Sequence, residues 1–218
     1  MTRIKICGIT TPADAELLAE LGVEAVGLNF YHKSPRCVAP ERAGELVKHL
    51  GPFVATVGVF VTNDYSTVYW TCETFKLGLR AVQTYSDSPP ALPLAPFAHI
   101  PAFRVKDSSD LAHIQQFVIA CRPAAVLVDS FVTGEMGGTG HRAPWELLVG
   151  FDPGVPLILA GGLTPDNVAE AIRLVKPWGV DVASGVEASP GRKDPSKVRA
   201  FVAAVRGSFS AVAVATVP

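Results

Sequence analysis

Apolar runs rich in Val and Ile recur along the chain, and most give way to a stretch whose apolar positions return every three to four residues. That order is the signature of βα units, because strands of a parallel sheet are buried on both faces and read as continuous apolar runs, whereas the covering helices show a 3.6-residue period. The runs predict strands at residues 3–9, 25–30, 54–60, 80–85, 99–106, 124–130, 156–161 and 179–184. Helices are predicted between them at 12–21, with Thr10 or Thr11 as cap, and at 40–50, 64–75, 108–121, 144–149, 165–175 and 194–205. Several open on Pro at or near the first helical position, where the missing N–H costs nothing. Between Asp87 and Pro96 the sequence DSPPALPLAP forbids a regular helix, so an irregular connection is expected after the fourth strand.

Eight such units in a chain of 218 residues predict an α/β protein, a single-domain (βα)8 TIM barrel with eight parallel strands. The barrel is expected to occupy residues 1–207, with 208–218 as a short apolar tail. An open doubly wound sheet is the alternative. It is disfavoured because no G-x-G-x-x-G follows the first strand.

Composition narrows the function classes. A net charge of -1, with 18% charged and 49% hydrophobic residues, argues against a disordered chain and against a general nucleic-acid binder, which needs a basic surface. No basic-then-apolar leader and no apolar run of the ~20 residues a membrane helix needs are visible, so a cytoplasmic protein without membrane contact is expected. Cys7, Cys37, Cys72 and Cys121 show neither C-x-x-C nor zinc-ligand spacing and read as independent thiols, the last three as small buried hydrophobes.

In a TIM barrel the reacting groups sit at the C-terminal ends of strands and in the loops that follow. That rule selects Cys7, Asn29, Arg36, Gln83, Tyr85 and Asp129, and then a set of glycines: Gly134, Gly137, Gly138 and Gly140 in loop 6, Gly161 and Gly162 after strand 7, and Gly185 after strand 8. The Gly161-Gly162 and Ser184-Gly185 turns lie on the two strands whose loops commonly build phosphate sites, so a phosphorylated small-molecule substrate is expected. Strand alternation puts Arg3, Lys5 and Cys7 on one face; pointing inward, the cation would favour the Cys7 thiolate and make a usable base. Asp129 closes an apolar run with no helix start nearby to explain it, and a desolvated carboxyl there can serve as general acid. Arg36, in a proline-stiffened loop, can hold a carboxylate in a bidentate pair, and Asp181 needs a partner such as Lys5 or Arg3.

With these residues in view, the sequence resembles the phosphoribosylanthranilate isomerase family from its first strand to its last helix. The resemblance rests on KICGIT at Lys5 to Thr10, GLNFYHKSPR at Gly27 to Arg36, VGVF at Val57 to Phe60 and VQ at Val82-Gln83. It continues through LVDS at Leu127 to Ser130, GGTG at Gly137 to Gly140, LAGGLTPDNV at Leu159 to Val168 and DVASGVEASPGRKD at Asp181 to Asp194. It implies Cys7 as general base, Asp129 as general acid, Arg36 as the anthranilate-carboxylate ligand and the loop 6, 7 and 8 glycines as phosphate ligands; Gln83, Tyr85, Lys5 and Asp181, by their strand positions, are expected toward the substrate. The implied reaction is an Amadori rearrangement in tryptophan biosynthesis, needing neither metal nor redox cofactor, by a monomer or a homodimer. Tyr85 stands where the family usually carries His.

Overall fold

The structure, a computed structural model, describes residues 1–62, 64–85, 90, 94–130 and 145–214. Eight strands, β1 (Arg3–Cys7), β2 (Ala25–Asn29), β3 (Ala55–Val61), β4 (Ala81–Tyr85), β5 (Ala98–Val105), β6 (Val126–Ser130), β7 (Leu157–Ala160) and β8 (Gly179–Val182), pair in sequence order and close into a parallel barrel. Closure is made by β1 on β8, in the register Arg3↔Gly179, Lys5↔Asp181. Each predicted strand is present, with ends that differ from the prediction by at most two residues.

The helices are α1 (Pro12–Glu20), α2 (Pro40–Lys48), α3 (Tyr65–Thr74), α4 (Ser108–Cys121), α5 (Val168–Val175) and α6 (Pro195–Val214). Their starts follow local chemistry. Thr11 caps α1 by accepting from the Asp14 backbone N–H at 3.2 Å, Asp64 caps α3, and Asp107 with Asp110 forms a capping box on α4. Two predicted helices differ. Residues 145–148 make only a 3-10 turn, and α5 begins at Val168 rather than at 165, because Thr164 to Asn167 is spent on a turn in which Asn167 Oδ1 accepts from the Thr164 N–H at 2.8 Å. α6 runs on through residue 214, so the apolar segment beginning at 208 continues the last helix that far. A two-stranded antiparallel ribbon, β9 (Glu187–Ser189) and β10 (Arg192–Lys193), stands between β8 and α6.

Alternation along the strands sorts side chains into two separate cores. Outward residues such as Ile4, Ile6, Val26, Leu28, Val126, Val128, Leu159 and Val180 pack under the helices against Leu18, Leu46, Ile114, Val168 and Phe201. Burial of each such side chain contributes about 1.5–3 kcal/mol. Inward residues Val57, Ala81, Ile100, Ala102, Ala125, Leu127, Ile158 and Ala160 fill the barrel itself. The same inward faces carry Lys5 and Cys7 on β1, Gln83 and Tyr85 on β4, Asp129 on β6 and Asp181 on β8. A barrel plugged by small and branched apolar groups thus bears a cluster of ionisable ones.

Candidate active site

Cys7 ends β1 and is 8% exposed. Its sulfur fits because the neighbouring strand offers Gly27 in register with it: a Cβ at Gly27 would lie 2.6 Å from Cys7 Sγ. Lys5, two residues earlier, is buried and forms an ion pair with Asp181 at 2.9 Å, in register across the closing seam. Lys5 therefore supplies the partner that Asp181 needs. Arg3 does not join them; it is exposed at the strand start, with its guanidinium 4.1 Å from the Trp178 ring centre.

The cation beside Cys7 is present and favours the thiolate as expected, but burial outweighs it. Burial pushes the thiol pKa above its ordinary value, and Asp181 adds to that push, against the opposing charges of Lys5 and Lys193. Lys5 shifts upward as well, since Asp181 and Cys7 outweigh the burial that works against its ammonium.

Asp129 ends the apolar part of β6. Its carboxyl pKa is raised to about 6, by burial first and then by Asp181, while Arg104 and a hydrogen bond from Tyr85 pull the other way. β6 is separated from β1 by β7 and β8, so acid and thiol approach the lumen from different sides. Tyr85, at the end of β4, is pushed well above the ordinary phenol value by burial and by Asp129, Cys7 and Asp181. Gln83, one inward position below, is 1% exposed, and its Oε1 has no hydrogen-bond partner among the described residues.

Arg36 is placed by the loop after β2. Asn29 Oδ1 accepts from the Tyr31 N–H at 2.8 Å and Ser34 Oγ from the Arg36 N–H at 3.2 Å, which curls the loop over Gly8. Gly8 has a φ of 75°, and a Cβ there would meet Arg36 Cδ at 2.7 Å, so the residue after Cys7 must lack a side chain. The bidentate partner of Arg36 lies within the chain: Nε and Nη2 donate to Glu187 Oε1 and Oε2 at 2.8 and 2.7 Å. The sequence led to Arg36 as a ligand for a substrate carboxylate; the structure shows it already holding one.

Loops 7 and 8 meet. Gly161 and Gly162 have φ values of 86° and 62°, and Asn167 Nδ2 fixes the turn by donating to Gly162 O at 2.9 Å. Ser184 and Gly185 open a single 3-10 turn, and a Cβ on Gly185 would fall 1.8 Å from Leu163 O. Only glycine allows the two loops to touch there. The predicted loop 6 residues Gly134, Gly137, Gly138 and Gly140 lie outside the described residues. Of the other thiols, Cys72 is buried, whereas Cys37 and Cys121 are half-buried rather than buried as expected; all four are free.

Three charged residues escaped the sequence reading. Arg104 shares the inward alternation of Ile100 and Ala102 and is in register with Asp129, a pattern visible in β5 itself. Glu187 and Lys193 face each other across the β9–β10 ribbon, with Lys193 Nζ 3.1 Å from Glu187 Oε1. Opposite charges flanking Ser189-Pro190-Gly191 were the available signal.

No metal-holding group of three or more His, Cys, Asp or Glu occurs among the described residues, and none of their helices is long and apolar enough to cross a membrane. A sequence profile for N-(5'phosphoribosyl)anthranilate (PRA) isomerase matches residues 4–204. The N-(5'-phosphoribosyl)anthranilate isomerase of Geotalea uraniireducens is 45% identical over 208 residues, covering 95% of this chain and 100% of that protein. The crystal structure of phosphoribosyl anthranilate isomerase from Thermotoga maritima superposes with a TM-score of 0.85 at 36% identity, over 95% of this chain and 100% of that one. A phosphoribosyl anthranilate isomerase in complex with reduced 1-(o-carboxyphenylamino)-1-deoxyribulose 5-phosphate gives 0.82 at 35% identity, over 95% and 100%.

Proposed function

Since the chain belongs to the N-(5'-phosphoribosyl)anthranilate isomerase family, we propose that Cys7 and Asp129 are the base and the acid of that family's reaction. The activity is an aldose–ketose isomerisation of tryptophan biosynthesis: N-(5-phosphoribosyl)anthranilate becomes 1-(2-carboxyphenylamino)-1-deoxyribulose 5-phosphate by an Amadori rearrangement. Asp129 protonates the furanose ring oxygen as its bond to C1 breaks, and the nitrogen lone pair forms the Schiff base. Cys7 then takes the proton from C2, giving an enolamine whose tautomerisation delivers the ketone. Every atom is conserved, and no electrons leave the substrate.

The observation that carries this assignment is the carboxyl of Asp129, raised to about 6 on a strand away from the Cys7 thiol, whose own pKa is raised by burial. Near neutral pH the prevailing form holds Asp129 as carboxylate and Cys7 as thiol. The productive form, with the proton on Asp129 and the charge on sulfur, contains the same number of protons and is a constant fraction of the enzyme between the two pKa values. Lys5 and Lys193 enlarge that fraction by favouring thiolate, whereas Asp181 favours protonated Asp129 but also the protonated thiol, so its two effects oppose each other.

The rest of the substrate is assigned by charge and donor type. Arg36 spends one edge of its guanidinium on Glu187 and retains the Nη1 end for the anthranilate carboxylate. Gly161, Gly162, Ser184 and Gly185 receive the phosphate through backbone N–H groups at the point where loops 7 and 8 touch, with Gly138 and Gly140 completing the set. Gln83 Oε1 offers an acceptor to a sugar hydroxyl, Tyr85 holds Asp129, and Lys5 with Asp181 sets the field under the ring. These residues come from one chain, so the assignment holds for a monomer and a homodimer alike, and a cytoplasmic setting suits the free thiols.

The test is turnover of freshly made phosphoribosylanthranilate, followed by its fluorescence, with wild type, Cys7→Ser and Asp129→Asn in parallel. Both variants are expected to lose several orders of magnitude while remaining folded. A folded Cys7→Ser or Asp129→Asn protein with near wild-type kcat removes that residue from the mechanism.

A further inference from the structure

The β9–β10 ribbon is tied to the site at more points than a connection requires. Thr10 Oγ1, in the loop after β1, donates to Gly191 O at 2.5 Å, and Gly191, with a φ of 82°, lies so close to Pro35 that a Cβ would meet Pro35 O at 2.7 Å. The ribbon therefore packs on the loops that follow Cys7 and that carry Arg36. At its centre the Glu187 carboxylate, 7% exposed, accepts from Arg36 Nε and Nη2, from Lys193 Nζ at 3.1 Å and from the Gly191 N–H at 3.3 Å. Lys193 Nζ spends a second proton on Ala183 O at 3.0 Å, and its side chain is 0% exposed.

An ammonium without solvent contact is costly to bury, and one shared carboxylate does not neutralise two cations. Arg36, Glu187 and Lys193 together carry one net positive charge. The Lys5–Asp181 pair carries none. Lys193 nevertheless interacts with Cys7, and burial lowers its pKa against the support of Glu187 and Cys7. The groups that act on the sulfur are Lys5 from β1, Asp181 from β8, Lys193 from β10 and Tyr85 from β4.

We propose that Glu187 and Lys193 form a buried positioning pair joining the two ends of the site: Glu187 orients the Arg36 guanidinium, which packs on Gly8 next to Cys7, and Lys193, held by Glu187 and Ala183 O, contributes to the field at Cys7 the positive charge that a thiolate there requires. The Arg36 half rests on the function proposed above; the Lys193 half does not. The pair touches neither the breaking C–O bond nor the C2 proton and acts through Arg36 and Cys7.

Two measurements separate the halves. The first is the pH titration of the Cys7 thiolate by ultraviolet absorbance, taken as wild type minus Cys7→Ser, and repeated in Lys193→Met and Lys193→Arg backgrounds without substrate. Lys193→Met is expected to move the titration upward by about one unit, and Lys193→Arg to restore it. Superimposable curves for wild type and Lys193→Met overturn the role of Lys193. The second is steady-state kinetics of Glu187→Gln, in which KM for phosphoribosylanthranilate is expected to rise by about tenfold while kcat stays within about threefold. An unchanged KM overturns the role of Glu187. Should a single variant fail to fold, the double variant Lys193→Met/Glu187→Gln removes both charges together, with the same two shifts expected and the same two outcomes fatal. If folded wild type does not turn over the substrate, the assigned reaction falls while the thiolate titration still decides Lys193.

Discussion

The Tyr85 hydroxyl, at the end of β4, donates a hydrogen bond to the carboxyl of Asp129 on β6, with only β5 between the two strands. Because the bond favours the charged form, it restrains a pKa that burial and Asp181 have already raised to about 6. Removing it in Tyr85→Phe is expected to move the acidic limb of the kcat/KM profile to higher pH, so that activity first levels off above the wild-type position. The proton count supports this direction: Asp129 without its donor holds its proton to higher pH. A limb that stays in place would mean that Tyr85 does not act on the group that titrates there.

The architecture was legible because its signal is periodic. Eight β-branched runs alternating with helical stretches leave few alternatives, and Asp181 was expected to need Lys5 or Arg3 as partner, of which the register across the closing seam selects Lys5. What could not be read depends on distance along the chain and on burial. Arg36 and Glu187 are 151 residues apart, so the loop motif that marks Arg36 carries no hint of the carboxylate it grips. A cation next to Cys7 was visible in the sequence, but the desolvation that outweighs it is a property of the closed barrel. Residues 165–167 show the local failure: Pro165 suits a helix start, yet the Asn167 side chain captures the Thr164 N–H and holds the turn open until Val168.

Gly27 is the residue on β2 that makes room for the Cys7 sulfur. In Gly27→Ala the new Cβ would stand 2.6 Å from Sγ and 3.1 Å from the Cys7 Cα, so the side chain, the backbone or both must shift. Overpacking of this kind costs about 1–3 kcal/mol of stability. Displacing a reacting atom by an ångström costs on the order of a hundredfold in rate. The variant is therefore expected to melt a few degrees lower and to lose kcat by about two orders of magnitude. Full activity would show that the sulfur has slack.

His99, on the outer face of β5, is 8% exposed, with Nε2 2.9 Å from Thr84 Oγ1 and its ring against Tyr65 and Phe117. Burial lowers its pKa from 6.5 to about 4, so the folded protein keeps it neutral where the unfolded chain binds a proton. The unfolded state gains protons first on acidification. Stability tied to His99 is thus complete above pH 6.5 and is lost between there and about 4, amounting to about 2–3 kcal/mol. Urea unfolding at neutral pH and at the foot of that window should show the loss in wild type and a flatter dependence in His99→Gln. Parallel slopes in the two proteins would assign the acid sensitivity to other groups.

Asp129 carries the opposite linkage. Its folded pKa, about 6, lies above the ordinary carboxylate value of 3.8, so the native state binds a proton more tightly than the unfolded chain. That preference stabilises the fold in full below the unfolded value and is lost as pH rises from there through 6, leaving a desolvated carboxylate under the influence of Asp181 at neutral pH. Asn has nearly the same shape and no charge. Asp129→Asn is accordingly expected to abolish turnover and to raise stability by about 1–2 kcal/mol above pH 7, with the gain vanishing toward pH 4, since Tyr85 and Arg104 already return part of the desolvation cost. Denaturant titrations of the two proteins at those pH values measure it. A variant that is less stable than wild type at neutral pH would show that the hydrogen bond from Tyr85 and the charge of Arg104 outweigh burial, and would move Asp129 from a strained acid to a satisfied carboxylate.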